Sequence, residues 1–271
     1  MRPVVALVTD FGAQDHYVGA VKGAILAACP DAQIVDLAHE IPAHDVFAGA
    51  FALAASYHVF PAGSVFLAVV DPGVGSDRRG LAVAAGGYQF VGPDNGVLSL
   101  ILAEQPDARV RAITNRGLFR FEVSATFHAR DVFGPVAGHL ARGAPLEEVG
   151  PPADAPVLLE VTAVRQLSEL EWEASVIHVD RFGNLTTNLL ASQLGSILAT
   201  VGGDPTEVVV TVEGMVLPLV RTYSDVPESE PCALVGSSNR LEVAVHGGNA
   251  SRLLGASRGA PVRVRTVAVP Q

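Results

Sequence analysis

The sequence is short of the residues that staple small or secreted proteins. Only two cysteines, Cys29 and Cys232, occur in 271 residues, far apart and without metal-type spacing. Neither a disulfide framework nor a cysteine metal centre is expected. Both thiols read as small buried hydrophobes in a reducing cytoplasm. Lysine is almost missing: Lys22 is the single one among 18 basic residues, and no basic run exists. With a formal net charge of −10, the chain repels phosphate backbones and anionic membranes, so nucleic acid is a poor partner. Long apolar runs are also lacking. None reaches the roughly 18 residues that a membrane span needs. The apolar stretch at 4–8 is too short for a signal peptide, and Asp10 ends it. Repeats and low-complexity tracts are absent.

What is present is core-forming material. Hydrophobic residues make up 49% and charged ones 17%, the composition of a globular protein. The first half alternates strand-like and helix-like segments. Strands are expected at 3–8, 33–37, 64–70, 80–85 and 88–92, and helices at 16–28, 45–57, 96–104 and about 130–142. The run Ser64-Val-Phe-Leu-Ala-Val-Val70 is apolar throughout, as a strand buried on both faces would be. This alternation predicts an α/β domain over 1–150, a mostly parallel sheet flanked by helices. The proline-rich 151–156 reads as a linker. Beyond it lie short strands separated by Gly, Pro and Asp turns, at 157–164, 172–179, 207–212, 232–235, 241–245 and 261–268. They predict a smaller all-β, barrel-like domain over 157–271.

Six polar clusters sit at predicted strand ends, where open α/β sheets bind ligands. Thr9-Asp10-Phe11-Gly12 is followed by Asp15 and Tyr17. Here a carboxylate could accept two ribose hydroxyls, or simply cap the next helix. Asp71-Pro72-Gly73-Val74-Gly75 forces a tight loop, across which Asp71 and Arg78 could pair. Pro93-Asp94-Asn95-Gly96 is a turn signal with possible caps. Phe127-His128-Ala129-Arg130-Asp131 carries a histidine suited to acid–base work, or a structural one. Asp180-Arg181-Phe182-Gly183-Asn184 gathers an acid, a ring and an amide, a mixture suited to a nucleoside with a charged tail. Ser237-Ser238-Asn239-Arg240-Leu241-Glu242 is followed by His246-Gly247-Gly248-Asn249-Ala250, whose Gly-rich turns expose backbone groups that could read an adenine edge. Each also has a plain reading as an ordinary turn.

The ordered set TDFG, DPGVG, PDNG, FHxRD, DxFGN and the late SSN segment resembles the SAM hydroxide adenosyltransferase family, relatives of the fluorinases and chlorinases. The resemblance runs from Thr9 to about Val264. It implies an N-terminal α/β domain, a C-terminal β-barrel and a homotrimer whose S-adenosylmethionine (SAM) sites lie between neighbouring subunits. By position, Asp10 resembles the acid that holds the ribose hydroxyls, and Asp180 the one that binds the methionine ammonium. Asn184 stands where an amide reads adenine, Phe127 where a ring packs beside the substrate, and Ser237 where the methionine end or adenine is contacted. Phe182, Asn249 and Ala250 complete the expected substrate-binding set.

Asp71, Arg78 and His128 match the trio that marks the water-using branch. A carboxylate at Asp71 would repel a halide, and Ala129 replaces the serine that touches it in the fluorinase. Ser238 stands about where halogenases place an arginine, so the holder of the methionine carboxylate is left open. The implied activity is hydrolysis of SAM to adenosine and methionine, with no cofactor and no metal. Three alternatives remain at this level: a 5′-halogenase, a metal-dependent nucleoside or phosphate hydrolase using Asp10, Asp15, Asp71, Asp94, His128 and Asp131, and a non-catalytic SAM or adenosine sensor.

Overall fold

The structure, a computed structural model, describes residues 2–267. The chain separates into two compact units, Met1–Leu159 and Glu160–Gln271.

The first unit contains strands β1 (Val4–Thr9), β2 (Gln33–Ala38), β3 (Val65–Val69), β4 (Gly80–Ala85), β5 (Tyr88–Pro93) and β6 (Arg109–Ala112). They form one sheet in the order β2-β1-β3-β5-β4-β6, in which β4 runs against its neighbours. Four helices accompany it: α1 (Tyr17–Ala28), α2 (Val46–Ser56), α3 (Ser99–Glu104) and α4 (Gly134–Ala141). All of β3 is buried, and its two faces meet different partners. Val65, Leu67 and Val69 join a core with Val21 and Ile25 of α1 and Val136 and Leu140 of α4. Phe66 packs the other way, stacked on Phe90 with ring centroids 5.3 Å apart, and edge-on to Tyr57 beyond α2. That two-sided burial is why the strand reads as an unbroken apolar run.

The topology places the polar loops. After β1 the chain crosses to β2 on one side. After β2 it returns past β1 to β3 on the other side. The strand order therefore reverses at β1 and β3, and Thr9 lies directly across from Val69. The loops carrying Asp10 and Asp71 thus leave the sheet side by side, at the kind of switch point where open sheets bind ligands.

The second unit is sheet-rich: β7 (Arg165–Ser168), β8 (Glu171–Val179), β9 (Leu185–Leu190), β10 (Val208–Val212), β11 (Met215–Pro218), β12 (Pro231–Val235), β13 (Arg240–Val245) and β14 (Pro261–Thr266). The order is β11-β10-β14-β8-β9-β13-β12, with β7 beside β8. A bridge from Leu219 to Ala233 brings the two ends of this sheet together, so the sheet is nearly barrel-shaped.

Two differences from the sequence reading, in the second unit and at 157–164, have physical causes. The second unit is not purely β. Helices α5 (Ala191–Ala199) and α6 (Ala250–Leu254) interrupt it, and α5 buries Leu194 and Ile197 on one face. Residues 157–164 form no strand. Two of their N–H groups, both within the first unit, are taken by side chains: Val157 by Asp94 at 2.7 Å and Leu159 by the Ser99 hydroxyl at 2.8 Å. The segment 151–156 is likewise held by the first unit. Pro152 bridges to Arg111, and the Arg79 guanidinium donates to the carbonyls of Asp154 and Ala155. The last expected strand, 261–268, is seen as β14, and position 268 lies outside the described residues.

Candidate active site

Arg78 joins the two distant loops of the first unit. Its Nε donates to Asp71 Oδ1 at 2.8 Å and its NH2 to Asp71 Oδ2, a bidentate fork on the carboxylate. The same NH2 lies 2.9 Å from His128 Nδ1. A guanidinium only donates, so Nδ1 must be the acceptor, and a neutral ring carries its hydrogen on Nε2. Burial, and then the Arg78 charge, hold the His128 pKa below its ordinary value of 6.5. Asp71 and Arg78 are themselves largely buried, with side-chain exposures of 5% and 11%. The guanidinium also lies over the Phe133 ring, 5.1 Å from its centroid.

The loop from Asp71 to Arg78 is tightly built. Val74 N–H returns to the Asp71 carbonyl at 3.2 Å, and the Ser76 hydroxyl donates to the Gly73 carbonyl at 2.7 Å. Gly75 has φ +81°, and a Cβ there would fall 2.6 Å from the Ala125 carbonyl oxygen. Only glycine fits that approach. It brings the Asp71 loop against the segment that leads to His128. That segment is fixed by Asp131, which is wholly buried. Asp131 accepts from Ser124 N–H at 2.9 Å and from Arg130 through two bonds of 2.7 Å. Burial alone would raise the Asp131 pKa, but the Arg130 and Ser124 donors hold it below the ordinary carboxylate value.

Asp71, His128 and Phe127 line one cleft of about 360 Å³, together with Phe11, Tyr17 and Val74. Tyr17 meets Phe127 edge-to-face at 5.3 Å, and Phe11 meets Phe127 at 6.1 Å. Phe11 and Tyr17 belong to the first polar cluster, but their spacing gives no sign that both rings meet Phe127, so sequence reasoning leaves them out of the site. Asp10 does not cap α1, whose first turn has no side-chain cap; its Oδ2 instead accepts the His44 N–H at 2.9 Å. Asp94 and Asn95 do not cap α3. Asp94 pairs with Arg79 at 2.6 Å, while the Asn95 amide donates to the Val70 carbonyl at 2.8 Å and braces the strand end beside Asp71. The acids considered as metal ligands are therefore dispersed among separate partners. Among the described residues, no group of three or more His, Cys, Asp or Glu side chains has metal-holding geometry.

In the second unit, Asp180 ends β8 and organises its own turn. Oδ1 accepts N–H groups of Phe182 and Asn184 at 2.9 and 2.8 Å, and Oδ2 accepts the Asn184 amide at 3.2 Å. Phe182 projects outward, 73% exposed. Asn249 caps α6 by accepting from Arg252 N–H at 2.7 Å, and it lies against Gly183, where a Cβ would come within 2.1 Å of it. Ala250, the first residue of α6, is fully buried. Ser237 stands exposed in the turn between β12 and β13, and the neighbouring Ser238 hydroxyl is buried without a partner.

Sequence reasoning includes Glu242 in the sixth polar cluster without giving it a role, and leaves out Tyr223. The Tyr223 hydroxyl donates to the buried Glu242 carboxylate at 2.7 Å. Burial, with the Asp180 charge, pushes the Glu242 pKa up. Burial and Glu242 push the Tyr223 phenol up to about 12. Glu242 occupies a strand position that sequence pattern assigns to the sheet, and nothing there signals a buried acid.

Known proteins share this architecture. The model of the SAM hydroxide adenosyltransferase N-terminal domain matches residues 5–150, and that of its C-terminal domain matches 174–263. A curated (R)-S-adenosyl-L-methionine hydrolase of Thermus thermophilus is 42% identical, covering 97% of this chain and all of the relative. One of Salinispora tropica is 40% identical, covering 97% of each. A fluorinase of Actinopolyspora mzabensis is more distant, 26% identical over 97% of each. Among solved structures, an uncharacterized conserved protein from Thermotoga maritima superposes with a TM-score of 0.89 at 34% identity, covering 96% of this chain and 99% of that one. Both domain models and near-full-length relatives agree: the chain belongs to the SAM hydroxide adenosyltransferase family.

Proposed function

We propose that this protein hydrolyses S-adenosylmethionine to adenosine and methionine, with water attacking the ribose 5′ carbon. The observation that carries the reading is the single hydrogen-bonded chain Asp71–Arg78–His128, on the wall of a cleft lined by Phe127. The sulfonium leaves as a neutral thioether, so no acid is needed to expel it. The difficulty is the nucleophile, since neutral water is weak. Arg78 uses two of the roughly four lone-pair sites on Asp71, which leaves that carboxylate able to take the proton of water. His128 Nδ1 is occupied by Arg78, so the imidazole serves as a donor through Nε2–H rather than as the base. Arg78 supplies the positive charge that favours hydroxide, an effect strengthened in a dry site. The oxygen bonds to C5′ as the C5′–S bond breaks with its electron pair going to sulfur, and the proton passes from Asp71 to solvent. Alignment of water with that bond is worth roughly 7–11 kcal/mol at best.

Within this reading Asp10 holds the ribose hydroxyls and Phe127 flanks the nucleoside. Asp180 binds the methionine ammonium, Asn184 reads adenine, and Phe182, Ser237, Asn249 and Ala250 complete the substrate contacts. The protein works without cofactor or metal, as a homotrimer in the cytoplasm, and the second unit is its β-barrel domain. The fluorinase relatives do not shift the reaction to a halide, because the Asp71 carboxylate would face that anion.

The test is chromatography of the protein incubated with SAM in water labelled with heavy oxygen. Adenosine carrying the label at its 5′ hydroxyl is expected, with a chelator making no difference. Unconsumed SAM would leave a binding protein; a 5′-halo-adenosine in halide buffer would make it a halogenase; loss of activity on chelation would require a metal.

A further inference from the structure

A second cleft, of about 860 Å³, opens on the same catalytic pair. Arg78 and His128 line it together with Arg79, Arg116 and Arg120, and Phe121 stands at its edge. His128 is the one residue it shares with the cleft that holds Asp71 and Phe127, so the imidazole forms part of the wall between the two.

The charge distribution in this cleft is one-sided. No carboxylate lines it. The acids that pair with its arginines are Asp71, Asp94 and Asp131, with side-chain exposures of 5%, 2% and 0%. None of them lines this cleft: Asp71 faces the other one, and Asp94 and Asp131 are buried. Arg120 is 53% exposed and sits 3.6 Å from Asp131, too long for a tight pair. Among the described residues the Arg116 side chain meets no carboxylate. In a chain of net charge −10, four guanidiniums gathered around one concavity form a local field of opposite sign. Beside them stand apolar walls: Phe133 is fully buried, and Phe121 is wholly exposed at 103%. A concavity with apolar walls and a few convergent charges suits a small organic ligand better than a bare ion. Planar guanidiniums match the oxygen geometry of phosphates and carboxylates.

We infer that this second cleft binds a small organic anion, a phosphate or carboxylate group held by Arg116 and Arg120 with an apolar body against Phe121. Bound there, the anion lies beside Arg78 and offsets the positive charge that favours hydroxide. This regulatory part rests on the proposed hydrolysis; the binding part does not.

Calorimetry on the full-length protein tests the binding, with phenyl phosphate, benzoate and inorganic phosphate as probes. Phenyl phosphate is expected to bind more tightly than inorganic phosphate, which lacks the apolar body. Benzoate against phenyl phosphate tells a carboxylate ligand from a phosphate one. Arg116→Ala and Arg120→Ala should each weaken binding about tenfold, the size of one lost charge-assisted bond. Asp131 keeps Arg130 in the Arg120 variant, so folding is preserved. Phe127→Ala, on the other cleft, should leave binding unchanged. In turnover assays phenyl phosphate should lower kcat without raising KM for SAM. Arg116→Ala should lose that inhibition and keep its basal rate. No measurable heat with either organic probe at millimolar concentration overturns the inference. So does wild-type affinity in both arginine variants, or a change of oligomeric state in Arg116→Ala, which would make the cleft a contact between copies. If SAM is never consumed, the calorimetry still decides the site while the proposed reaction falls.

Discussion

The two units treat their acids in opposite ways. In the first, three acids of the motif segments are each matched by a guanidinium: Asp71 by Arg78, Asp94 by Arg79 and Asp131 by Arg130. In the second, Asp180 is held by backbone N–H groups and an amide, and Glu242 by a phenol. Among the described residues neither of these two acids has a cationic partner. The difference sorts the chemistry. In the proposed reaction the first arrangement would present positive charge to a forming anion. The second leaves negative charge uncompensated, which suits the ammonium and sulfonium of the proposed substrate.

The sharpest way to break this comparison is Arg78→Ala. It removes the bonds to Asp71 and His128 together. Turnover should fall by about 100–1000-fold or more, as for loss of one preorganised donor to a forming oxyanion. The carboxylate left buried without its partner should also cost about 3–5 kcal/mol of stability, read by denaturant unfolding. Unchanged kcat would remove the first unit from the chemistry.

Asp180→Asn probes the other side. It should weaken SAM binding about tenfold to a hundredfold by calorimetry, the range of a lost charged hydrogen bond, with kcat at saturation little altered. A large fall in kcat with unchanged affinity would erase the division of labour between the units.

A smaller effect lies in the pH profile. The neutral imidazole accepts from Arg78, so the active form is unprotonated. Its pKa is lowered from 6.5, so the neutral ring persists further into acid than a free histidine would. The acidic limb of kcat should therefore lie below pH 6.5. Stability has the same sign: between the folded and unfolded pKa values the unfolded chain binds the extra proton, so the His128 contribution falls as pH drops through that window. A limb at or above pH 6.5 that disappears in His128→Asn would contradict the lowered value.

The smallest expected change is structural. Gly183→Ala places a Cβ at φ +88°, within 2.1 Å of Asn249. It should cost about 1–3 kcal/mol in thermal unfolding and loosen the cap of α6. An unchanged melting temperature would mean that the Asp180 turn and the α6 cap are independent.

Much of the first unit was legible because its signals are local. The apolar run at 64–70 reads as a strand buried on both sides, and Asp45 stands near the start of an Ala-rich helical stretch. Asp45 does accept the Ala48 N–H. The α5 helix was less legible, since its buried Leu194 and Ile197 lie within a short segment between strands. At 157–164 the alternation looked like a strand. Which partners its N–H groups would take depended on Asp94 and Ser99, about sixty residues away. The trio was readable as three residues in an ordered set of motifs; its hydrogen bonds were not, and neither was the buried Glu242.

The sequence by itself determined the alternation of strands and helices, the glycines that permit tight loops, the negative net charge and the identity of each reactive group. Only the tertiary structure decided that Arg78 would face both Asp71 and His128, that the imidazole would accept at Nδ1, and that this ring would stand between two clefts. Those outcomes depend on how loops 50 residues apart are packed against one sheet end. Residue spacing fixes what a loop can do locally, whereas the distance between two loops is set by the sheet that carries them.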